Sequence, residues 1–196
     1  MKVIYFHGFA SSPQGSKVDL LRQAGFSVAA PTIDIDPDVA EAYLIEFVRQ
    51  EAIKGIESND RKLILVGTSL GGYWAARMGE LFEGAAVLIN PAMHPEVSLK
   101  KFIGPYTNYA TGEQKILTDD IVAKYANYPS AGSNRYRAYF IATRDTVIEK
   151  PDEGSLFEYD SDDHRGMSFF GDVIEYLKKQ EQMIVGDSGD CLLNCL

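Results

Sequence analysis

Apolar residues along this chain fall into short continuous runs separated by longer segments in which they recur every three or four positions. The runs at residues 3–6, 26–30, 63–66, 85–89, 139–142 and 156–159 have the length and side-chain types of buried strands. Between the first two, Val18, Leu20, Leu21 and Ala24 carry helical spacing, and Gly25 stands where a helix would end. A long helix is expected after Pro37, with Val39, Ala42, Tyr43, Ile45, Phe47 and Val48 on a broad apolar face. Tyr73, Trp74, Ala75, Ala76 and Met78 mark another, and Phe169, Phe170, Val173, Ile174, Tyr176 and Leu177 a closing one. Strands alternating with helices predict an α/β fold: a three-layer α/β/α sandwich with about six mostly parallel strands. The expected spatial order places the second strand outermost, followed by the first, third, fourth, fifth and sixth.

Residues 92–134 break this alternation with Pro95, Gly104, Pro105, Gly112 and Pro129, and only residues 119–125 read as a helix. A long irregular excursion between two sheet strands is uncommon without a role, and roofing a site at the strand ends is the expected one. The rest reads as a single domain over residues 1–185, with residues 186–196 as a flexible tail.

The 196 residues are 45% hydrophobic and 24% charged, an ordinary balance for a globular chain. A formal net charge of −9 argues against a nucleic-acid partner and against binding to anionic lipid surfaces. No apolar run is long enough to span a membrane, and the run at residues 3–6 is too short for the core of a secretion signal, so a cytoplasmic location is expected. The two cysteines, Cys191 and Cys195, have no neighbouring Cys or His at ligand spacing, and no metal is expected.

Gly67-Thr68-Ser69-Leu70-Gly71 lies directly between an apolar strand and a helical segment. That setting is the one in which G-x-S-x-G forms a nucleophile elbow in an α/β-hydrolase sheet, with the serine raised on a strained turn. A serine hydroxyl needs a base, and in this fold the chain order is serine, acid, histidine. Of the three histidines, His164 alone follows the last strand; His94 belongs to the excursion and reads as a surface residue. His7 precedes the serine, so bracing its loop suits it better than serving as base. Asp145 follows the fifth strand, where a carboxylate can reach the second imidazole nitrogen, with Asp162 and Asp163 as rivals on the histidine loop. The loop at His7-Gly8-Phe9 follows the first strand, so the backbone N–H groups of Phe9 and Leu70 are the candidate oxyanion donors.

These segments resemble the YqiA-type small esterases of the α/β-hydrolase superfamily. The resemblance rests on Tyr5-Phe6-His7-Gly8-Phe9-Ala10-Ser11-Ser12-Pro13 and on Gly67-Thr68-Ser69-Leu70-Gly71-Gly72-Tyr73. Asn90-Pro91-Ala92, Pro105-Tyr106-Thr107, Asp145 and His164 also match. It implies a cofactor-free serine hydrolase of acyl esters or thioesters, with Ser69, Asp145 and His164 as the catalytic residues. Short to medium acyl groups are the expected substrates. An acyltransferase using the same three residues, or a silent interaction protein on the same fold, are the alternatives, and the oligomeric state stays open. The excursion is expected to line the acyl pocket with Met93, Phe102, Ile103, Tyr106 and Tyr109. Arg144, beside the expected acid, either pairs with the acidic cluster at Asp160, Asp162 and Asp163 or reaches the substrate.

Overall fold

The computed structural model describes residues 1–58, 63–129, 137–148 and 155–183. The tail beyond residue 185 with Cys191 and Cys195, and the last residues of the 92–134 excursion, lie outside the described residues.

Strand β1 (Lys2–Phe6) is followed by α1 (Ser16–Gln23), β2 (Ser27–Ala29), α2 (Pro37–Glu57), β3 (Leu63–Thr68), α3 (Leu70–Leu81) and β4 (Ala86–Ile89). Then come α4 (Pro95–Ser98), β5 (Gly104–Thr107), β6 (Gln114–Leu117) and α5 (Asp119–Lys124). Strands β7 (Arg137–Ala142) and β8 (Ser155–Tyr159) and helix α6 (Phe170–Met183) complete the chain. The main sheet has six strands in the order β2-β1-β3-β4-β7-β8, and every pairing is parallel. This is the expected order, and the fold is that of an α/β hydrolase.

Alternation along the central strands sends side chains to two separate cores. Ile4, Phe6, Leu65, Leu88, Tyr139 and Ile141 face α2 and α3, packing on Leu44, Val48, Trp74 and Met78. Val3, Tyr5, Val66, Ile89, Phe140 and Ala142 face the other way, onto Val18 and Leu21 of α1 and Phe170, Val173 and Leu177 of α6. Burial on both faces explains why β3 and β4 are continuous apolar runs rather than alternating ones. Helix α2 starts where Pro37 follows Asp36, whose carboxylate accepts the Asp38 N–H at 3.0 Å. No helix among the described residues is long and apolar enough to cross a membrane.

The excursion is more regular than its sequence suggests. β5 and β6 form an antiparallel hairpin, Gly104 opposite Leu117 and Thr107 opposite Gln114. From Leu117 onward the chain turns into the α2–α3 core, where Leu117, Val122 and Tyr125 are fully buried. Lys124 ties this part to the start of α2 through Asp36 at 2.6 Å and Asp38 at 2.7 Å.

Candidate active site

The site grows from the end of β3. Ser69 follows Thr68 with φ 57° and ψ −123°, a conformation a side-chain-bearing residue holds only under constraint. The constraints are visible. Ser69 N–H donates to the Ile89 carbonyl at 3.0 Å, and its own carbonyl accepts from Gly72 at 2.9 Å, Ala92 at 3.0 Å and Tyr73 at 3.2 Å. The turn is tight enough that a Cβ on Gly67 would run into the Gly71 carbonyl. A Cβ on Gly71 would likewise meet the carbonyls of Phe6 and His7, so only glycine lets α3 pack against the end of β1.

His164 and Asp145 arrive from two other strand ends. Asp145 follows the turn after β7, and His164 lies in the loop between β8 and α6. His164 Nε2 is 2.8 Å from Ser69 Oγ, and its Nδ1 is 2.6 Å from Asp145 Oδ2. The carboxylate can only accept, so Nδ1 carries the proton and Nε2 accepts from the serine hydroxyl. Asp145 is 1% exposed, and its other oxygen accepts the Val147 N–H at 2.7 Å. The His164 side chain is 25% exposed, and it lines one cavity together with Ser69. Asp163 does not enter this chain of bonds: its two carboxylate oxygens accept the N–H groups of Arg165 at 3.1 Å and Ser168 at 2.8 Å.

His7 braces the loop after β1. Its Nε2 accepts the Ile33 N–H at 3.2 Å, which leaves Nδ1 to donate to the Gly8 carbonyl at 2.9 Å. Burial holds its imidazole below the ordinary histidine range, keeping this neutral tautomer. The braced loop brings Gly8 and Phe9 against Ser69. Leu70 opens α3, so its N–H has no carbonyl one turn back to bond. His94 caps the short α4, exposed, with Nδ1 3.4 Å from Glu96.

One residue carries more of the site than its sequence position suggests. Asn90, fully buried at φ 40°, accepts the Ala142 N–H at 2.7 Å through Oδ1. Its Nδ2 donates to the carbonyls of His164 at 2.9 Å and Asp163 at 3.0 Å, stapling the histidine loop to the ends of β4 and β7. The available signal was an asparagine before a proline directly after a buried strand.

Ser69 and His164 open into a cavity of about 410 Å³, with Phe9, Leu70, Phe102 and Tyr106 in its wall. Phe9 meets both other rings in tilted contacts, with centroids 5.4 Å from Phe102 and 4.7 Å from Tyr106. Tyr109 also lines it; Ile103 does not. Two further expected pocket residues lie elsewhere. Met93 faces an adjoining cavity of about 240 Å³ that shares Ala92, Ser98 and Val147 with the first. Arg144, in the turn after β7, is exposed and directed away from the cavity. Its guanidinium is 3.1 Å from Asp160 on the surface. Among the described residues, no group of three or more His, Cys, Asp or Glu could hold a metal.

Comparison with known proteins agrees with this architecture. An alpha/beta-superfamily protein of Xanthomonas campestris aligns over 93% of this chain and 98% of its own, with a TM-score of 0.57 and 20% identity. An esterase of Pyrococcus furiosus aligns over 91% and 81%, with a TM-score of 0.61 and 16% identity. A monoglyceride lipase of Saccharomyces cerevisiae aligns over 91% and 86%, with a TM-score of 0.59 and 15% identity. In sequence, a UPF0227 protein of Shewanella loihica is 32% identical over 55% of this chain and 60% of its own length. One of Vibrio vulnificus is 37% identical over 48% and 52%. The chain thus spans between about half and two thirds of the curated relatives it matches. The family described as "Uncharacterised protein family (UPF0227)" matches residues 2–160, a stretch that includes Ser69, Asn90 and Asp145 and ends before His164. With most of its length matched to that pattern, and with the YqiA-type segments inside the matched stretch, the chain belongs to the UPF0227 family.

Proposed function

We propose that the protein is a serine hydrolase that cleaves carboxylic esters or thioesters of short to medium acyl groups through an acyl-enzyme. The observation that carries this reading is the continuous hydrogen-bonded chain from Ser69 through His164 to Asp145, open at its serine end to an aromatic-walled cavity. In the proposed reaction Ser69 Oγ attacks the substrate carbonyl carbon while its proton passes to His164 Nε2. Asp145 keeps the imidazole in the receptive tautomer and stabilises the imidazolium that forms. The N–H groups of Phe9 and Leu70 receive the charge that develops on the carbonyl oxygen. As the carbonyl re-forms, the C–O or C–S bond breaks and His164 protonates the leaving alcohol or thiol. Water, deprotonated by His164, then attacks the acyl-serine carbonyl; the acyl C–Oγ bond breaks, the carboxylic acid leaves, and His164 returns the proton to Ser69 Oγ.

The activities named for the Pyrococcus esterase and the yeast monoglyceride lipase, which share the fold, support the same reaction class. So does the cavity size, which suits a drug-sized or smaller ligand. The test combines fluorophosphonate labelling, read by peptide mass spectrometry, with turnover of p-nitrophenyl esters of graded chain length. Label on Ser69, and a loss of about 10⁴-fold or more in kcat for Ser69→Ala, are the expected results. Turnover by Ser69→Ala within tenfold of the parent would overturn the assignment.

A further inference from the structure

The cavity wall holds a charge imbalance that runs against the rest of the molecule. The chain carries 28 acidic against 19 basic residues, yet among the described residues no Asp or Glu lines this cavity. Besides His164, its ionisable cations among the described residues are Lys17, from the first turn of α1, and Arg165, the residue after His164. Among the described residues neither side chain forms an ion pair. The nearest carboxylate in sequence, Asp163, is already held by the backbone of its own loop. Lys17 is half-buried, its ammonium 5.7 Å from the centre of the Phe170 ring. Burial, reinforced by the charge of Arg165 and partly offset by that of Asp163, lowers its pKa to about 8. A partly buried ammonium with no ion-pair partner beside a second positive charge is unfavourable unless a counter-charge joins them.

We infer that Lys17 and Arg165 form an anion subsite beside Ser69, which selects ester or thioester substrates bearing a carboxylate or phosphate. The inference deepens the hydrolase reading and rests on it for the word substrate. Arg165 supplies a planar fork of donors and Lys17 a compact charge, a combination that suits either group. A bound anion would also offset the burial and the Arg165 charge that together hold the Lys17 ammonium down.

Calorimetric titration tests the subsite apart from catalysis. The parent, Lys17→Met and Arg165→Gln are titrated with hexyl phosphate, with adipate and with hexanol as the neutral control. The subsite predicts tighter binding of an anion than of hexanol by the parent. Each substitution should weaken that anion by about tenfold more than it weakens hexanol. An effect confined to hexyl phosphate would identify phosphate as the group, and one confined to adipate a carboxylate. Unchanged affinity for both anions in both variants would overturn the subsite. Because Arg165 is exposed, its variant still decides the matter if Lys17→Met fails to fold. Turnover of p-nitrophenyl hexanoate by the parent is read in parallel. Its absence would remove the hydrolase reading while the titrations still decide whether the anion site exists.

Discussion

Two aspartates lie within reach of the histidine loop, and their hydrogen bonds give them different duties. Asp145 faces the imidazole, whereas Asp163 closes its own loop onto the N–H groups of Arg165 and Ser168. Burial pushes the Asp163 carboxyl up, but the bonds from Ser168, Arg165 and Met167 together outweigh it and hold it below the usual carboxylate range. Asp145→Asn should therefore lower kcat for ester hydrolysis by about 10³–10⁴-fold with little change in melting temperature. Asp163→Asn should do the reverse, costing stability above pH 4 with a much smaller kinetic effect. Steady-state kinetics and thermal melts on the two variants decide this, and interchanged results would move the acid onto the loop. At Gly71 the prediction is structural. Gly71→Ala places a methyl group on the carbonyls of Phe6 and His7, so the elbow must open. Loss of the folded protein, or a drop of several kcal/mol by urea unfolding, on the order of the largest single-residue effects, is expected. At this scale the sequence revealed residues whose chemistry depends on chain order: serine, acid and histidine. Residues defined by where a side chain points, such as Arg144 turned to Asp160, required the fold. Lys17, on the short α1, belongs to no motif that would mark it in the sequence.

Among the elements, the sheet was legible and the hairpin was not, for one physical reason. Strands buried on both faces must be apolar throughout, which marks them against their surroundings. The hairpin strands Gly104–Thr107 and Gln114–Leu117 are largely exposed, hold a glycine and a proline, and bury only Leu117 fully. No periodicity survives there to be read. The start of the hairpin nevertheless delivers Tyr106 to Phe9, with Phe102 from the turn before it. Truncating Phe102 and Tyr106 to alanine should raise KM more for a hexanoyl than for an acetyl ester, since each buried methylene contributes about 0.8 kcal/mol. An equal rise for both would reduce these rings to structural packing. Asn90 gives a complementary expectation, because it links three elements without facing the cavity. Asn90→Ala should lower kcat with KM nearly unchanged, as the histidine loop loses its tether while the pocket wall stays.

At the scale of the whole molecule, pH reads the brace at His7. Its folded pKa lies below the 6.5 of an unperturbed histidine, so above that pH the imidazole is neutral in both states and its brace is intact. As pH falls below about 6.5 the unfolded chain binds a proton that the folded chain does not, and stability declines. Thermal melts of parent and His7→Gln between pH 7.5 and 5.5 should show the larger decline in the parent. Equal slopes would mean that His7 does not control this window.

The strand order carries a further consequence, for the path by which the chain folds and opens. Ser69 stands at the end of β3, in the middle of the sheet, whereas His164 follows β8, among the described residues an edge strand paired only with β7. Their contact joins positions 95 residues apart, and such long-range closures form late. Edge strands also open locally at lower cost than central ones. The pair is therefore a reporter of the last step of assembly. In rising denaturant, reactivity of Ser69 should disappear before the circular dichroism of the sheet, and on refolding it should return after it. Hydrogen exchange should find the amides of β8 open while those of β3 and β4 are still protected.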